Sequence, residues 1–228
     1  TILSKDKKTI DIPQESVNVY DVTGAGDTFI AFFSYLMSNN IDVVNSLRIS
    51  SYACIKIVQK KHTATLSFKE FKELIDKFCS ETNIDLNLKV KLWKLSKSKI
   101  GITNGCFDII HSGHLDLFKT AKKQCDKLVV LINSDKSIKD LKGDRRPIIK
   151  LKKRIELLKL IKSIDDIISF NEKTPMKMIK KILPDILFKG SDYKQKQVVG
   201  YDIIKKNGGT VKIINKLSNF STTKLIKE

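Results

Sequence analysis

The arrangement of apolar and polar positions changes character near residue 99. From there on, short β-branched and aliphatic runs alternate with amphipathic stretches. Ile100, Ile102 and Thr103 suit a short buried strand that the breaker pair Asn104-Gly105 ends. His114, Leu117, Phe118, Ala121 and Cys125 then recur at helical spacing, so one face of the next helix looks inward. The same pattern predicts strands at Leu128 to Asn133, Asp166 to Phe170, Ile186 to Lys189 and Val211 to Ile214. Between them it predicts a helix over Arg146 to Lys162 opened by Asp144 and Pro147, and one started by Thr174-Pro175 that ends before Pro184. A third helix spans Gln195 to Lys206, closed by Gly208. Five strands with intervening helices imply an α/β domain with a doubly wound parallel sheet. Right-handed crossovers bring the strand ends 104–108, 133–135 and 189–193 to one edge, where such sheets bind ligands.

The first part of the chain reads differently. Two extended segments, Thr1 to Ser4 and Thr9 to Ile12, flank the charged turn Lys5-Asp6-Lys7-Lys8. Phe29 to Met37 is apolar nearly all round, which predicts a buried helix. Ser67 to Phe78 predicts an amphipathic helix with Phe68, Phe71, Leu74, Ile75 and Phe78 on one face and a capping box of Ser67 and Glu70. Thr82 to Ser98 alternates lysines with apolar residues, Trp93 among them, and reads as a linker. The domains are then 1–81 and 99–228.

Composition narrows the function classes. With 228 residues and 41% hydrophobic content the chain can bury one ample core or two modest ones. A net charge of +18 would suggest a nucleic-acid or anionic-membrane partner. However, Arg48, Arg145, Arg146 and Arg154 are its arginines and the other basic residues are scattered lysines, so no nucleic-acid partner is expected. The apolar runs are short and interrupted, and the start lacks the apolar core of a signal peptide, so no membrane association is expected either. The sequence does not begin with Met, which suggests a piece of a longer protein. Cys54, Cys79, Cys106 and Cys125 lack metal-ligand spacing and read as thiols of a reducing cytosol, with no metal held in a protein cage and with Cys106 a packing residue.

The chemistry concentrates in Lys99 to Gln124, KIGITNGCFDIIHSGHLDLFKTAKKQ. His111 and His114 fall at or just before the first turn of the predicted helix, where unpaired N–H groups and the positive dipole end attract anions. Gly113 leaves room for a bulky anion to approach the backbone. Two imidazoles three residues apart can both face one phosphate. The string TNGCFDIIHSGHLDLF resembles the first signature of the HxGH nucleotidyltransferase superfamily, in particular its cytidylyltransferase-like branch, which includes bacterial heptose 1-phosphate adenylyltransferases. LKGDRRP, KGSDY at 189–193 and Ser221-Thr222-Thr223-Lys224 follow in the order of that domain, over essentially all of 99–228.

The resemblance implies transfer of AMP from ATP to heptose 1-phosphate, giving pyrophosphate and ADP-heptose, a lipopolysaccharide core precursor, with Mg²⁺. On that resemblance His111 and His114 act at the α-phosphate and leaving group, and Asn104, Gly105, Cys106, Phe107, Asp108 and Gly113 surround the nucleotide. Ser221, Thr222, Thr223 and Lys224 would take the β/γ-phosphates, and Lys142, Arg145, Lys189 and Asp192 the sugar-phosphate side. The partners implied are the small molecules ATP and a sugar phosphate, in a homo-oligomer of the cytoplasm. One alternative is a cytidylyltransferase acting on a polyol or amino-alcohol phosphate; another is a non-catalytic anion- or nucleic-acid-binding module that uses the positive charge.

Upstream, Gly24-Ala25-Gly26 leads into a helix whose first N–H groups form an anion hole, with Asp27 at the same end able to accept a proton. DVTGAGDTF, residues 21–29, resembles the C-terminal signature of ribokinase-type sugar kinases, which implies Asp27 as base and Gly24, Ala25 and Gly26 as the hole. Lys60-Lys61-His62-Thr63 departs from the Lys-x-Gly-Thr turn of such heptose kinases. The kinase family's N-terminal portion, with the sugar site and most of the sheet, has no counterpart in this sequence. Uncovered apolar faces and no sugar phosphorylation are therefore expected. A kinase segment ahead of an adenylyltransferase is the arrangement of the bifunctional heptose kinase/adenylyltransferases.

Overall fold

The structure, a computed structural model, describes residues 2–3, 9–10, 17–61 and 64–215. The chain divides into two units, Thr1–Lys97 and Ser98–Glu228, each with its own core.

In the first unit β1 (Ile2–Leu3) and β2 (Thr9–Ile10) pair antiparallel, Ile2 opposite Ile10. The charged turn expected between them lies outside the described residues. Helices α1 (Ala25–Ser38), α2 (Val43–Val58), α3 (Phe68–Glu81) and α4 (Leu86–Leu95) follow. Three of them start where a side chain satisfies open N–H groups. Asp42 accepts from Asn45, Asp85 accepts from Asn87 and Leu88, and Ser67 and Glu70 close the expected capping box. Leu36, Ile49, Ile57, Leu74, Ile75, Phe78 and Leu92 form the core.

Two expectations need correcting here. Helix α1 is not buried all round, because Leu36 is its one fully buried residue and Ile30 is 65% exposed. It packs on α2 and, through Phe32 against Phe71 at 5.5 Å, on α3, and part of its apolar surface, Ile30 included, is open. The segment 82–98 is not an irregular linker. Val90 and Trp93, three residues apart, share the buried side of α4, and Lys91 donates to the Asn40 carbonyl at 2.7 Å, so its lysine-apolar alternation is helical.

The second unit runs β3 (Ile100–Gly105), α5 (Ser112–Lys122), β4 (Lys127–Asn133), α6 (Asp135–Lys142), α7 (Leu151–Lys159), β5 (Asp166–Phe170), α8 (Met176–Ile182) and β6 (Ile186–Gly190). A 3₁₀ turn (Gln195–Gln197), α9 (Tyr201–Lys206) and β7 (Thr210–Ile214) complete it. The strands are all parallel in the order β5-β4-β3-β6-β7, which is the doubly wound five-stranded sheet expected. Leu128, Val130 and Ile132 pack with Phe118 and Ala121 of α5 and Leu158 of α7. Val129 and Leu131 point to the opposite face and are buried as well, so both sides of the sheet are covered. The carboxylates of Asp185 and Asp165 accept from the N–H groups of Ile100 and Leu128 and anchor two strand starts. The winding reverses between β3 and β6, which opens the crevice at their C-terminal ends.

Local departures gather at that end. Strand β3 runs on through the supposed breaker pair, with Asn104 opposite Leu131 and Gly105 opposite Ile132. Helix α6, not expected from the pattern, is started by the Ser134 hydroxyl, which accepts from the Ser137 N–H at 3.2 Å. Helix α7 begins at Leu151 rather than Arg146, because the Asp108 carboxylate accepts from the Ile148 and Ile149 N–H groups at 2.8 and 3.0 Å and holds this segment across the strand tips. The helix expected over Gln195 to Lys206 is broken at Gly200 (φ +91°), where a Cβ would lie 2.7 Å from Ile179.

Arg154 ties this end together. It is fully buried, donating through Nε to Ile149 O (2.8 Å) and through one terminal nitrogen to Cys106 O and Asn133 O (2.6 and 2.8 Å). Its other terminal nitrogen bonds the Asp135 carboxylate at 2.7 Å. Arg154→Ala removes the shared donor from all four segments, leaving the buried Asn133 carbonyl unsatisfied, and should cost about 3–5 kcal/mol, read from the urea midpoint of the second unit. Arg154→Lys should recover little, because one ammonium cannot serve acceptors on four segments. A loss under about 1 kcal/mol in either variant would contradict this role.

Candidate active site

The site grows out of the tip of β3. Gly105 has no side chain because the Phe107 ring folds back over it, 3.1 Å from where a Cβ would stand. Phe107 takes a left-handed backbone (φ +47°), a strained conformation for a bulky residue, and its ring packs on Phe118 and edge-on to His114 at 5.1 Å. That turn delivers the chain to α5, with His111 as the residue before its first turn and His114 inside it. The two imidazoles are stacked, 3.9 Å between centroids and 27° between planes. The His111 N–H donates to His114 Nδ1 at 3.4 Å, which puts the proton of neutral His114 on Nε2.

Two adjoining cavities of about 250 and 460 Å³ open here. Asn104, Gly105, Phe107, His114, Lys142, Lys189 and Tyr193 wall both. The smaller adds His111, Gly113 and Asp192, and the larger adds Cys106, Asp108, Asn133, Lys173 and Thr174. Eleven residues singled out from the sequence thus meet at one edge. Arg145 does not join them: it is exposed and lines neither cavity. Its neighbour Arg146 turns inward instead and pairs with Asp108 at 2.6 Å. Ser221, Thr222, Thr223 and Lys224 lie outside the described residues.

Charge at the site follows from burial. Asp108 is 2% exposed, and its two oxygens are occupied by Arg146 and the amides of Ile148 and Ile149, so it serves as framework. Lys189, also buried, donates to the Asn104 carbonyl at 2.9 Å and lies 4.7 Å from the Tyr193 ring centroid. Desolvation pushes its pKa down to about 8. Burial raises the pKa of the Cys106 thiol, which keeps it neutral and suits packing. Among the described residues there is no group of three or more His, Cys, Asp or Glu placed to hold a metal ion.

At the start of α1, Gly24 adopts φ +80° and Ala25, Gly26 and Asp27 form the first turn, with Asp27 exposed. Lys60 donates to the Thr65 carbonyl and pairs with Glu70 at 2.7 Å, while His62 and Thr63 lie outside the described residues. The pattern alone missed Arg154, Lys173 and Thr174 as site residues, and gave no role to Arg146 or Tyr193, although the segments LKGDRRP and KGSDY that carry them were expected at this edge. A signal existed for Arg154: an arginine in a chain that otherwise uses lysine suits a place needing several fixed donors, though the exposed Arg145 shows that the signal is not selective.

Both parts of the chain resemble known proteins in sequence. The sequence profile of the cytidylyltransferase-like family matches residues 102–228, and that of the pfkB family of carbohydrate kinases matches residues 1–70. The "Bifunctional protein HldE" of Nitrobacter hamburgensis is 38% identical over 100% of this chain and 48% of its own length. Its namesake in Rhodopseudomonas palustris is 36% identical over 100% and 48%, and that of Granulibacter bethesdensis 37% over 95% and 46%. The chain spans about half the length of these relatives. A crystal structure of the lipopolysaccharide core biosynthesis protein from Thermoplasma volcanium shares 33% identity over 54% of this chain and 99% of its own, with a TM-score of 0.45. From β3 onward the profile match covers the whole parallel sheet and its histidine-bearing helix, and the chain belongs to the cytidylyltransferase-like family.

Proposed function

We propose that the second unit is a nucleotidyltransferase that moves AMP from ATP onto heptose 1-phosphate, releasing ADP-heptose and pyrophosphate. The observation that carries this reading is the stacked His111–His114 pair at the start of α5, in a cavity also walled by Lys142 and Lys189. A sugar phosphate loses its second proton near pH 6, roughly like other phosphate monoesters, so the attacking oxygen is already anionic and needs no general base. That oxygen bonds to the α-phosphorus as the bond to the bridging oxygen of the β-phosphate breaks. The barrier is repulsion between anions, so the protein's part is positioning and neutralisation. His114 and His111 donate toward the α-phosphate and the departing pyrophosphate, and Lys189 and Lys142 bring positive charge between the two anions. Ser221, Thr222, Thr223 and Lys224 bind the β/γ-phosphates in this reading, and Mg²⁺ arrives on the substrate as MgATP. The enzyme is a homo-oligomer of the cytoplasm; among the described residues no helix is long and apolar enough to cross a membrane. The first unit keeps the phosphoryl-binding end of a sugar kinase, with Asp27 as base and Gly24, Ala25 and Gly26 as anion hole.

Pyrophosphate release, measured with each nucleoside triphosphate and either heptose 1-phosphate or glycerol 3-phosphate, should be found with ATP and the heptose. Preference for CTP and glycerol phosphate would replace the substrates while keeping the reaction. His114→Ala should lower kcat at least about a hundredfold with its circular dichroism unchanged, as loss of a transition-state donor does. Wild-type turnover in that variant would remove His114 from the chemistry.

Lys189 gives a pH dependence of definite sign. Its ammonium is charged below about pH 8 and neutral above it, so once the substrate phosphate is ionised, above about pH 7, kcat/KM should hold steady up to that point and then fall. Lys189→Arg, which cannot deprotonate in this range, should abolish the fall; identical profiles for the two proteins would assign it to another group.

A further inference from the structure

Displacement at phosphorus brings two anions together with the attacking and leaving oxygens in line. Two cavities sharing a wall of His114, Lys142 and Lys189 supply two sides from which to approach one atom. The smaller one contains His111, Gly113 and the start of α5, the place for a polyphosphate. The larger one, about 460 Å³, contains neither residue. It has instead Lys173 and Thr174 on the loop after β5, with Asn133 and Gln197. With the shared Lys142 and Lys189 it has three lysines, and its one carboxylate, Asp108, is already taken up by Arg146 and two backbone amides, so cations beside neutral hydrogen-bonding groups match a ligand with one phosphate dianion and many hydroxyls.

The loop that carries Lys173 is fixed from beneath. The Asn133 side-chain amide donates to Ser137 Oγ at 2.9 Å, and that hydroxyl donates to the Glu172 carbonyl at 2.8 Å. Asn133 and Ser137 are both buried, so this relay locks the loop to the tip of β4. Glu172, the acidic side chain of the loop, is paired with Lys177 at 3.4 Å. A rigid support under a polar, partly cationic wall is what a specificity site requires.

We propose that the larger cavity is the acceptor subsite, that it takes a polyhydroxylated sugar monophosphate, and that Lys173 and Thr174 are specificity-determining residues in it. This rests on the nucleotidyl-transfer reading above. Calorimetric titration of the full chain with heptose 1-phosphate, and separately with ATP, reads the subsite without turnover. Lys173→Met should weaken sugar-phosphate binding about tenfold or more and leave ATP within about twofold, while Lys173→Arg restores it. Thr174→Val should weaken heptose 1-phosphate more than it weakens glycerol 3-phosphate, which has fewer hydroxyls to lose. An equal loss of ATP affinity would give the cavity to the nucleotide and overturn the proposal. Unchanged sugar-phosphate affinity in Lys173→Met, or no binding to the wild type, would overturn it as well. Pyrophosphate release by the wild type is measured alongside. If it is absent while the selective titration holds, the transfer reaction falls and the sugar-phosphate subsite stands.

Discussion

A guanidinium with no solvent contact depends wholly on its protein acceptors, and Arg154 has them on four segments beside the site. It holds the Cys106 carbonyl in the turn after β3, the Asn133 carbonyl at the tip of β4, the Asp135 carboxylate at the start of α6 and the Ile149 carbonyl before α7. Such a group is costly to bury and more costly to leave unsatisfied, so the four segments can move only together. Asp108 extends the same knot, linking the turn to Arg146 and to the amides of Ile148 and Ile149. The floor beneath the two cavities is therefore polar and rigid although it sits on an apolar sheet. The strained Phe107 backbone and the stacked imidazoles are tolerable because the framework around them does not relax.

Above this floor the charges are arranged for anions. Lys189 is buried enough to have lost much of its hydration, so a bound phosphate gains more from it than from the many lysines on the surface. Its hold on the Asn104 carbonyl points the ammonium across the crevice between β3 and β6, where the winding of the sheet reverses. The net charge of +18 is thus a poor guide to function. A few cations with the right surroundings matter, and most of the rest cover helix surfaces.

How far the sequence alone reached depends on the range of the interactions involved. The five strands and α5 were legible because their signals, apolar runs and helical spacing from His114 to Ala121, are local. The capping box of Ser67 and Glu70 was legible for the same reason. What escaped was decided at a distance. Arg145 and Arg146 are indistinguishable as neighbours in sequence, and Asp108, far back along the chain, selects the second. The start of α7 is set by the same carboxylate rather than by Pro147, and the break at Gly200 by the side chain of Ile179. Helix α1 shows the converse: its apolar surface signals burial, but burial needs a partner surface, and Ile30 remains open to solvent.

The chain has three histidines, two of which are the stacked pair, so their ring resonances offer a direct reading of the site. Titrating ATP into the protein and following the ¹H–¹⁵N signals of the imidazoles should shift those of His111 and His114 together, saturably, and leave His62 in place. Signals of the pair that stay fixed at saturating nucleotide, or that move no more than that of His62, would contradict a phosphate-binding role for the two rings.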